Sequence, residues 1–362
     1  MADFSQYGIP SPEWVALEPT LSSLPSDLTA EQQRAVVNKV REEASARAIS
    51  EGLGAHIQTK DYTFPSRDGA SLEIRTYRPV GVPETQPLPV FIYFHGGGFL
   101  MGTIGTEDAA CAQLIKGNVE KNHPIVVVNV NYRHTPEYKY PTAWDDVEDA
   151  FIWVHDHIAD IGGLADQVVV GGVSAGGQLA AALTLTQVRG ENQRIAALPK
   201  IRGQVLIIPC LVHPHYYAPR VEKLRSPEVS SRVQCANAYL LPVSKIDFFM
   251  ELLGLEGEGA KGRENDFRMN PGNAPPEDVK KLPPTTFGIA GSDPLRDEAL
   301  FYSQLLSENG VPTATHIFPG LPHGFRIVGE LKSNKAWDRV MSDGISWALS
   351  NPAAGPFEIK VE

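Results

Sequence analysis

The chain alternates short apolar runs with longer amphipathic stretches. Runs apolar on both faces occur at 88–94, 125–130, 167–170, 204–208, 285–290 and 314–318. A half-exposed strand alternates apolar and polar residues, whereas a run apolar at every position marks a strand covered on both faces, as in a mostly parallel sheet. Between these runs, helical spacing predicts helices near 106–121, 140–158, 174–189, 295–309 and 334–349. Strands and helices in succession imply βαβ units, with helices on both sides of one sheet. Two alternating segments, 61–65 and 71–77, flank Arg67-Asp68-Gly69 and predict an antiparallel hairpin ahead of the parallel part.

Two regions depart from this alternation. Residues 27–51 read as a helix, with Ser26 or Thr29 as its cap, Glu31 in its first turn and Gly52 past its end. A Pro/Ser-rich lead, 9–26, is predicted to be irregular. In 210–284 the alternation stops. Short amphipathic pieces such as 243–253 are joined there by Pro-, Gly- and charge-rich segments at 257–263 and 271–276. This stretch lies between two core strands, so it is an excursion from the sheet, and a long excursion is usually functional. The expected organisation is a first part of a cap at 1–55, a core at 56–209, an inserted cap segment at 210–284, and the rest of the core at 285–362.

Composition narrows the function classes. Hydrophobic content of 42% and charged content of 21% suit a soluble globular protein. A net charge of −11 with no basic block argues against nucleic acid and anionic membrane surfaces as partners. No run approaches the roughly 18 apolar residues of a membrane span, so stable membrane insertion is not expected. The opening Met-Ala-Asp-Phe-Ser-Gln-Tyr lacks the basic-then-apolar pattern of a signal peptide. Cys111, Cys210 and Cys235 form no CxxC pair, which gives neither a disulfide framework nor a zinc site. Buried free thiols in a reducing, cytoplasmic compartment are the expectation.

The chemistry is carried by Gly172-Val173-Ser174-Ala175-Gly176, which follows an apolar strand and opens a helix-forming stretch. That is the context of a nucleophile elbow, in which a serine is exposed on a sharp strand-to-helix turn. Alone the pentapeptide is weak: a chain with 32 glycines yields on the order of 0.2 such matches by chance. A serine hydroxyl also needs a base within hydrogen-bond reach and an acid to orient that base. In sheets of this kind the order along the chain is serine, acid, histidine. Asp293 follows the strand at 285–290, and His323 follows the strand at 314–318 in a Gly/Pro-rich loop. Both fall at the strand ends where open α/β sheets place their sites. Asp293 also suits an N-cap of the next helix, and Asp297 or Glu298 compete as the acid, although both fall inside that helix.

An oxyanion requires donors. His95-Gly96-Gly97-Gly98-Phe99 follows another strand end, and its glycines let backbone N–H groups point into a site. Neither GxxxxGK[ST] nor GxGxxG is present there, which weakens a nucleotide reading. His95 is expected to bond loop backbone and not to act as a base. His213 and His215 fall in the excursion, His316 on a strand, and His155 and His157 on a solvated helix face.

These blocks resemble the hormone-sensitive-lipase-like branch of the α/β-hydrolase esterases. The carrying residues are His95 to Gly98, Tyr132-Arg133-His134-Thr135-Pro136-Glu137, Gly172 to Gly177, Asp293-Pro294-Leu295-Arg296-Asp297-Glu298 and His323-Gly324-Phe325, in the family's order. The resemblance implies an α/β-hydrolase fold, a mostly parallel central sheet flanked by helices, with a helical cap. It implies Ser174 as nucleophile, Asp293 as acid and His323 as base, with the amides of Gly97, Gly98 and Ala175 as oxyanion donors. Tyr132, Arg133 and Glu137 are expected to form a turn-stabilising network. The implied reaction is hydrolysis of small to medium apolar carboxylic esters by a monomer or homodimer, with no metal or organic cofactor. The family commonly has Asp before the serine; this chain has Val173, which removes a carboxylate from beside the elbow.

Two competing readings share these residues. The same triad acts on amides, formamides or biosynthetic acyl intermediates in other enzymes. A non-catalytic receptor on this fold tolerates loss of the acid or base, and here all three residues are present. Candidate pocket aromatics are Tyr216, Tyr217, Tyr239, Phe248 and Phe249.

Overall fold

The computed structural model describes residues 1–362 except 23, 24, 26 and 330. Its centre is a sheet of nine strands in the order β1-β2-β4-β3-β5-β6-β7-β8-β9. β1 (Ile57–Pro65) and β2 (Ser71–Pro79) form the antiparallel hairpin, turning through Gly69, and β2 also runs antiparallel to β4 (Val126–Asn131). From β4 onward every neighbour is parallel: β3 (Leu88–Phe94), β5 (Gly163–Val173), β6 (Gly203–Ile207), β7 (Thr285–Ser292), β8 (Thr313–Pro322) and β9 (Ile359–Val361).

Period-2 geometry accounts for the wholly apolar runs. Along β3, Val90, Ile92 and Phe94 enter the core on one face, while Phe91 and Tyr93 enter the core on the other. Of the longer helices, α1 (Pro12–Leu17) and α2 (Ala30–Ser50) precede the sheet. Within it come α3 (Ile104–Val119), α4 (Thr142–Asp156), α5 (Ala175–Arg189), α6 (Val243–Leu252), α7 (Arg296–Glu308) and α8 (Ser333–Leu349). Residues of α3 and α8 fill one face of the sheet; residues of α4, α5 and α7 fill the other. No described helix is long and apolar enough to cross a membrane.

Several expectations are corrected. The lead is not irregular: Ser11 accepts from Trp14 N–H, Pro12 takes the first helical position, and α1 follows. Thr29 caps α2 in a reciprocal capping box with Gln32, while Ser26 lies outside the described residues. His155 is not solvated; it is half-buried against Phe151, and both its ring nitrogens lack partners among the described residues.

The N-terminal segment docks across the far end of the sheet. Ala2 exchanges backbone bonds with Lys223 and Arg225 at 2.9 and 2.8 Å. Gly8 O accepts from the Ser292 hydroxyl at 3.1 Å, and Ser11 N–H donates to Gly320 O at 3.0 Å. The excursion between β6 and β7 consists of short helical turns and α6. Buried carboxylates of α7 hold it: Asp297 accepts from Ser231 N–H at 2.7 Å, and Glu298 accepts from Leu211 and Val212 N–H at 2.6 and 3.2 Å. Burial pushes the Glu298 carboxyl above its usual range against the pull of Arg232.

Candidate active site

Parallel strands deliver their C-terminal ends to one edge, and four of them end in the residues singled out by sequence. β3 runs into His95, β5 into Ser174, β7 into Asp293 and β8 into His323. The β5-to-α5 turn is made by close approach. A Cβ on Gly176 would lie 2.5 Å from Phe94 C and 2.6 Å from His95 O; one on Gly172 would lie 2.5 Å from Gly176 C. Only hydrogen fits at either position. Ser174 itself has φ 56° and ψ −117°, a conformation that side chains rarely adopt.

Ser174 Oγ lies 2.8 Å from His323 Nε2, and His323 Nδ1 lies 2.7 Å from Asp293 Oδ2. Asp293 is 1% exposed and His323 8%. A carboxylate only accepts, so Nδ1 carries the hydrogen and Nε2 is free to accept from the serine hydroxyl. The other carboxylate oxygen, Asp293 Oδ1, accepts from Leu295 N–H at 2.8 Å. The capping role and the histidine partner role therefore coexist on one side chain. Asp297 and Glu298 are committed to the excursion instead.

The N–H groups of Gly97, Gly98 and Ala175 have no acceptor among the described residues. Gly97 and Gly98 take φ of 142° and 61° in the loop after β3. Ala175 begins α5, where the helix dipole adds partial positive charge. His95 is fully buried, and burial pushes its ring down to about 3, so it is neutral. Its Nδ1–H donates to Gly96 O at 3.2 Å. Tyr132 O–H donates to His95 O at 2.7 Å, Arg133 pairs with Asp146 and Asp68, and Glu137 pairs with Arg34. This is the network expected around the Tyr-Arg block.

Of the five candidate pocket aromatics, Phe249 reaches the glycine loop after β3: a Cβ on Gly98 would fall within its ring edge. The others are engaged elsewhere. Tyr216 O–H donates to Ala260 O, Tyr217 lies 4.2 Å under the Arg232 guanidinium, Tyr239 donates to Ser22 O at 2.9 Å, and Phe248 lies 4.5 Å from the Lys245 ammonium. Phe249 joins a small apolar cluster of Cys210, Leu241, Ile246 and Leu295, and Cys210 N–H lies 3.4 Å from Ser174 O. All three cysteines are free and buried. His213 is also buried, which lowers it to about 4, and its Nδ1 accepts from His215 N–H at 3.1 Å. His316 pairs with Glu362 at 2.5 Å on β8.

The sequence reading missed the polar face of α2. Asn38, Arg41, Glu42 and Ser45 all bond the loop after β3 or α3. Their spacing is i, i+3, i+4, i+7, one helix face written in polar residues, which a search for apolar periodicity passes over.

Strand ends, turn and hydrogen-bond chain together have the form of a hydrolase of the α/β type. The chain belongs to the α/β-hydrolase fold family, whose model matches residues 91–327. Esterase LipI of Mycobacterium tuberculosis is 34% identical over 251 residues, 69% of this chain and 70% of that one. The carboxylic ester hydrolase LipN of the same organism is 30% identical over 301 residues, 82% of this chain and 73% of its own length. Among solved structures, vibralactone cyclase superposes with a TM-score of 0.81 at 26% identity, covering 95% of this chain and 96% of that one. These relatives fit the hormone-sensitive-lipase-like branch, and the chain is an ester hydrolase of the carboxylesterase type.

Proposed function

We propose that Ser174, Asp293 and His323 are the catalytic residues of this esterase and that the amides of Gly97, Gly98 and Ala175 hold the oxyanion. The Ser174–His323–Asp293 hydrogen-bond chain, at 2.8 and 2.7 Å, carries this reading. His323 Nε2 takes the serine proton as Oγ attacks the ester carbonyl. The carbonyl oxygen becomes an oxyanion before three unpaired N–H groups, then collapses and expels the alcohol, which takes the proton from His323. Water, deprotonated by the same nitrogen, attacks the acyl-serine and releases the acid.

The substrate is a small to medium apolar ester. The apolar cluster of Cys210, Leu241, Ile246, Leu295 and Phe249 beside Ser174 and Gly98 supports this. Residues 1–55 and 210–284 act as a two-part cap, which the Phe249 contact with the loop supports. Every residue of the proposal comes from one chain, so a monomer or homodimer suffices. Three free thiols suit the cytoplasm. The test is hydrolysis of chromogenic short-chain esters by wild type and Ser174→Ala. Wild type is expected to turn over and be labelled at Ser174 by a serine-directed phosphonate; equal rates in the two proteins, or labelling elsewhere, overturn the assignment.

A further inference from the structure

The loop that offers the oxyanion donors takes positive φ at four positions, one of them not glycine. Gly97, Gly98, Phe99 and Gly102 have φ of 142°, 61°, 60° and 122°. Phe99 is a bulky side chain held in the left-handed region, a conformation that persists only where the surroundings over-determine it. Part of that constraint comes from residues 132–135: Thr135 N–H and its hydroxyl both donate to Phe99 O, at 2.8 and 3.1 Å. His95 contributes too, its Nδ1–H donating to Gly96 O at 3.2 Å, and a further part comes from α2, far away in sequence. Asn38 faces Gly102 with both ends of its amide: Oδ1 accepts from Gly102 N–H at 2.8 Å, and Nδ2 donates to Gly102 O at 3.5 Å. Arg41 Nη1 donates to Gly96 O at 3.4 Å.

The contact with Gly96 O matters because a trans peptide is planar. The C=O of Gly96 and the N–H of Gly97 belong to one plane and point in opposite directions. Holding the oxygen from the α2 side aims the Gly97 N–H the other way. The contact is long, and the guanidinium charge assists it. The same guanidinium is itself fixed, because its other terminal nitrogen pairs with Glu107. Glu107 is 4% exposed and also accepts from the hydroxyls of Tyr93 and Thr106, each at 2.8 Å. Arg41 thus bridges a buried, fully occupied carboxylate and the peptide next to the first oxyanion donor.

We propose that Asn38 and Arg41 are positioning residues for the oxyanion hole, so that α2 sets the direction of the Gly97 N–H as well as contributing to the cap. The proposal rests on the oxyanion roles given above. It is tested with Asn38→Ala and Arg41→Lys, with Lys39→Ala on the outer face of the same helix as control. Lysine keeps a charge beside Glu107 but lacks the planar fork that serves two acceptors at once. This spares the fold the unpaired carboxylate that Arg41→Ala leaves.

The readouts are kcat and KM on a chromogenic ester, the inhibition constant of a trifluoromethyl ketone, and the thermal midpoint. Asn38→Ala and Arg41→Lys are expected to lower kcat about tenfold each, short of the ~10²-fold or greater loss on removing an oxyanion donor outright. KM stays within about twofold, and ketone affinity falls by the same factor as kcat/KM, because its hemiketal needs the hole. Lys39→Ala matches wild type. Folded variants with unchanged kcat, or with the whole loss in KM, overturn the proposal. Turnover surviving in Ser174→Ala instead removes the underlying assignment, so the two failures are distinguishable.

Discussion

Gly176→Ala tests the claim that the elbow is made by close approach. Alanine ordinarily favours a helix over glycine by about 0.5–1 kcal/mol. At this position, however, its Cβ would sit 2.5 Å from Phe94 C and 2.6 Å from His95 O, with Phe94 O nearer still. Cβ atoms do not approach within 3.0 Å, so β3 and α5 must part by at least 0.5 Å from the carbonyl carbon alone. All these obstacles are backbone, with no rotamer to yield. The cost falls at the upper end of overpacking, about 3 kcal/mol, leaving about 2 kcal/mol net after the helical gain. At ~2.1 cal/mol/K per residue, 362 residues convert that to a fall of about 3 °C in the thermal midpoint. Activity suffers more. The displaced atoms lead directly into the Gly97 and Gly98 amides proposed as oxyanion donors, and catalytic geometry tolerates only about 0.5 Å. A loss of at least about tenfold in kcat/KM follows. The neighbouring Gly177→Ala is the milder comparison, since its Cβ would meet Pro209 Cβ at 3.0 Å and Gly172 O at 3.3 Å, which asks the neighbours to give by only a few tenths of an ångström. Thermal unfolding and ester kinetics on both variants decide the matter. Gly176→Ala with wild-type stability and rate refutes the reasoning.

Other perturbations address other parts of the site. Asp293→Asn keeps an acceptor for Leu295 N–H but favours the wrong histidine tautomer; kcat should fall by about 10⁴ with little change in midpoint, and a loss under about tenfold would count against Asp293 as the orienting acid. Phe249→Ala opens space over Gly98 and should raise the kcat/KM ratio of long-chain to short-chain esters; an unchanged ratio across an ester series removes Phe249 from the pocket. His95 and His213 are held near 3 and 4, and His134 well below its ordinary value, all by burial. Between about pH 4 and 6.5 these histidines therefore bind more protons in the unfolded chain than in the folded one, and their contribution to stability drops as pH falls through that window, by up to ~1.4 kcal/mol per unit for each. Urea midpoints that hold or rise from pH 6.5 to 5 would contradict it.

Much of the fold was legible because both-face burial leaves an unmistakable sign: β3 was bounded at 88–94 by its apolar run, and its observed limits are Leu88–Phe94. What escaped was written in weaker signals. β9 spans Ile359–Val361, too short for any periodicity, and α1 lay within a Pro/Ser-rich stretch whose Ser11-Pro12 pair is itself a helix start. Ser174, Asp293 and His323 could be picked out because strand ends collect chemistry. Asp293 reads from sequence as either cap or acid because a pattern assigns one role per residue, whereas a carboxylate has two oxygens and here serves both. Val173 had no physical account from sequence. In the fold it is half-buried and packs against an apolar cluster containing Trp14, with Tyr239 beside the same cluster, surroundings that suit valine and would leave an aspartate poorly solvated.

The docking of the first residues across the far end of the sheet orders assembly in time. Gly8 meets Ser292 across 284 residues of chain. At the ~5–20 residues per second of synthesis, the first segment leaves the ribosome roughly 15–60 s before the strand that receives it exists. The same wait applies to Ser11 and Gly320. The earlier-made segment thus waits on the later one, and it lies against the strand ends from which Asp293 and His323 project.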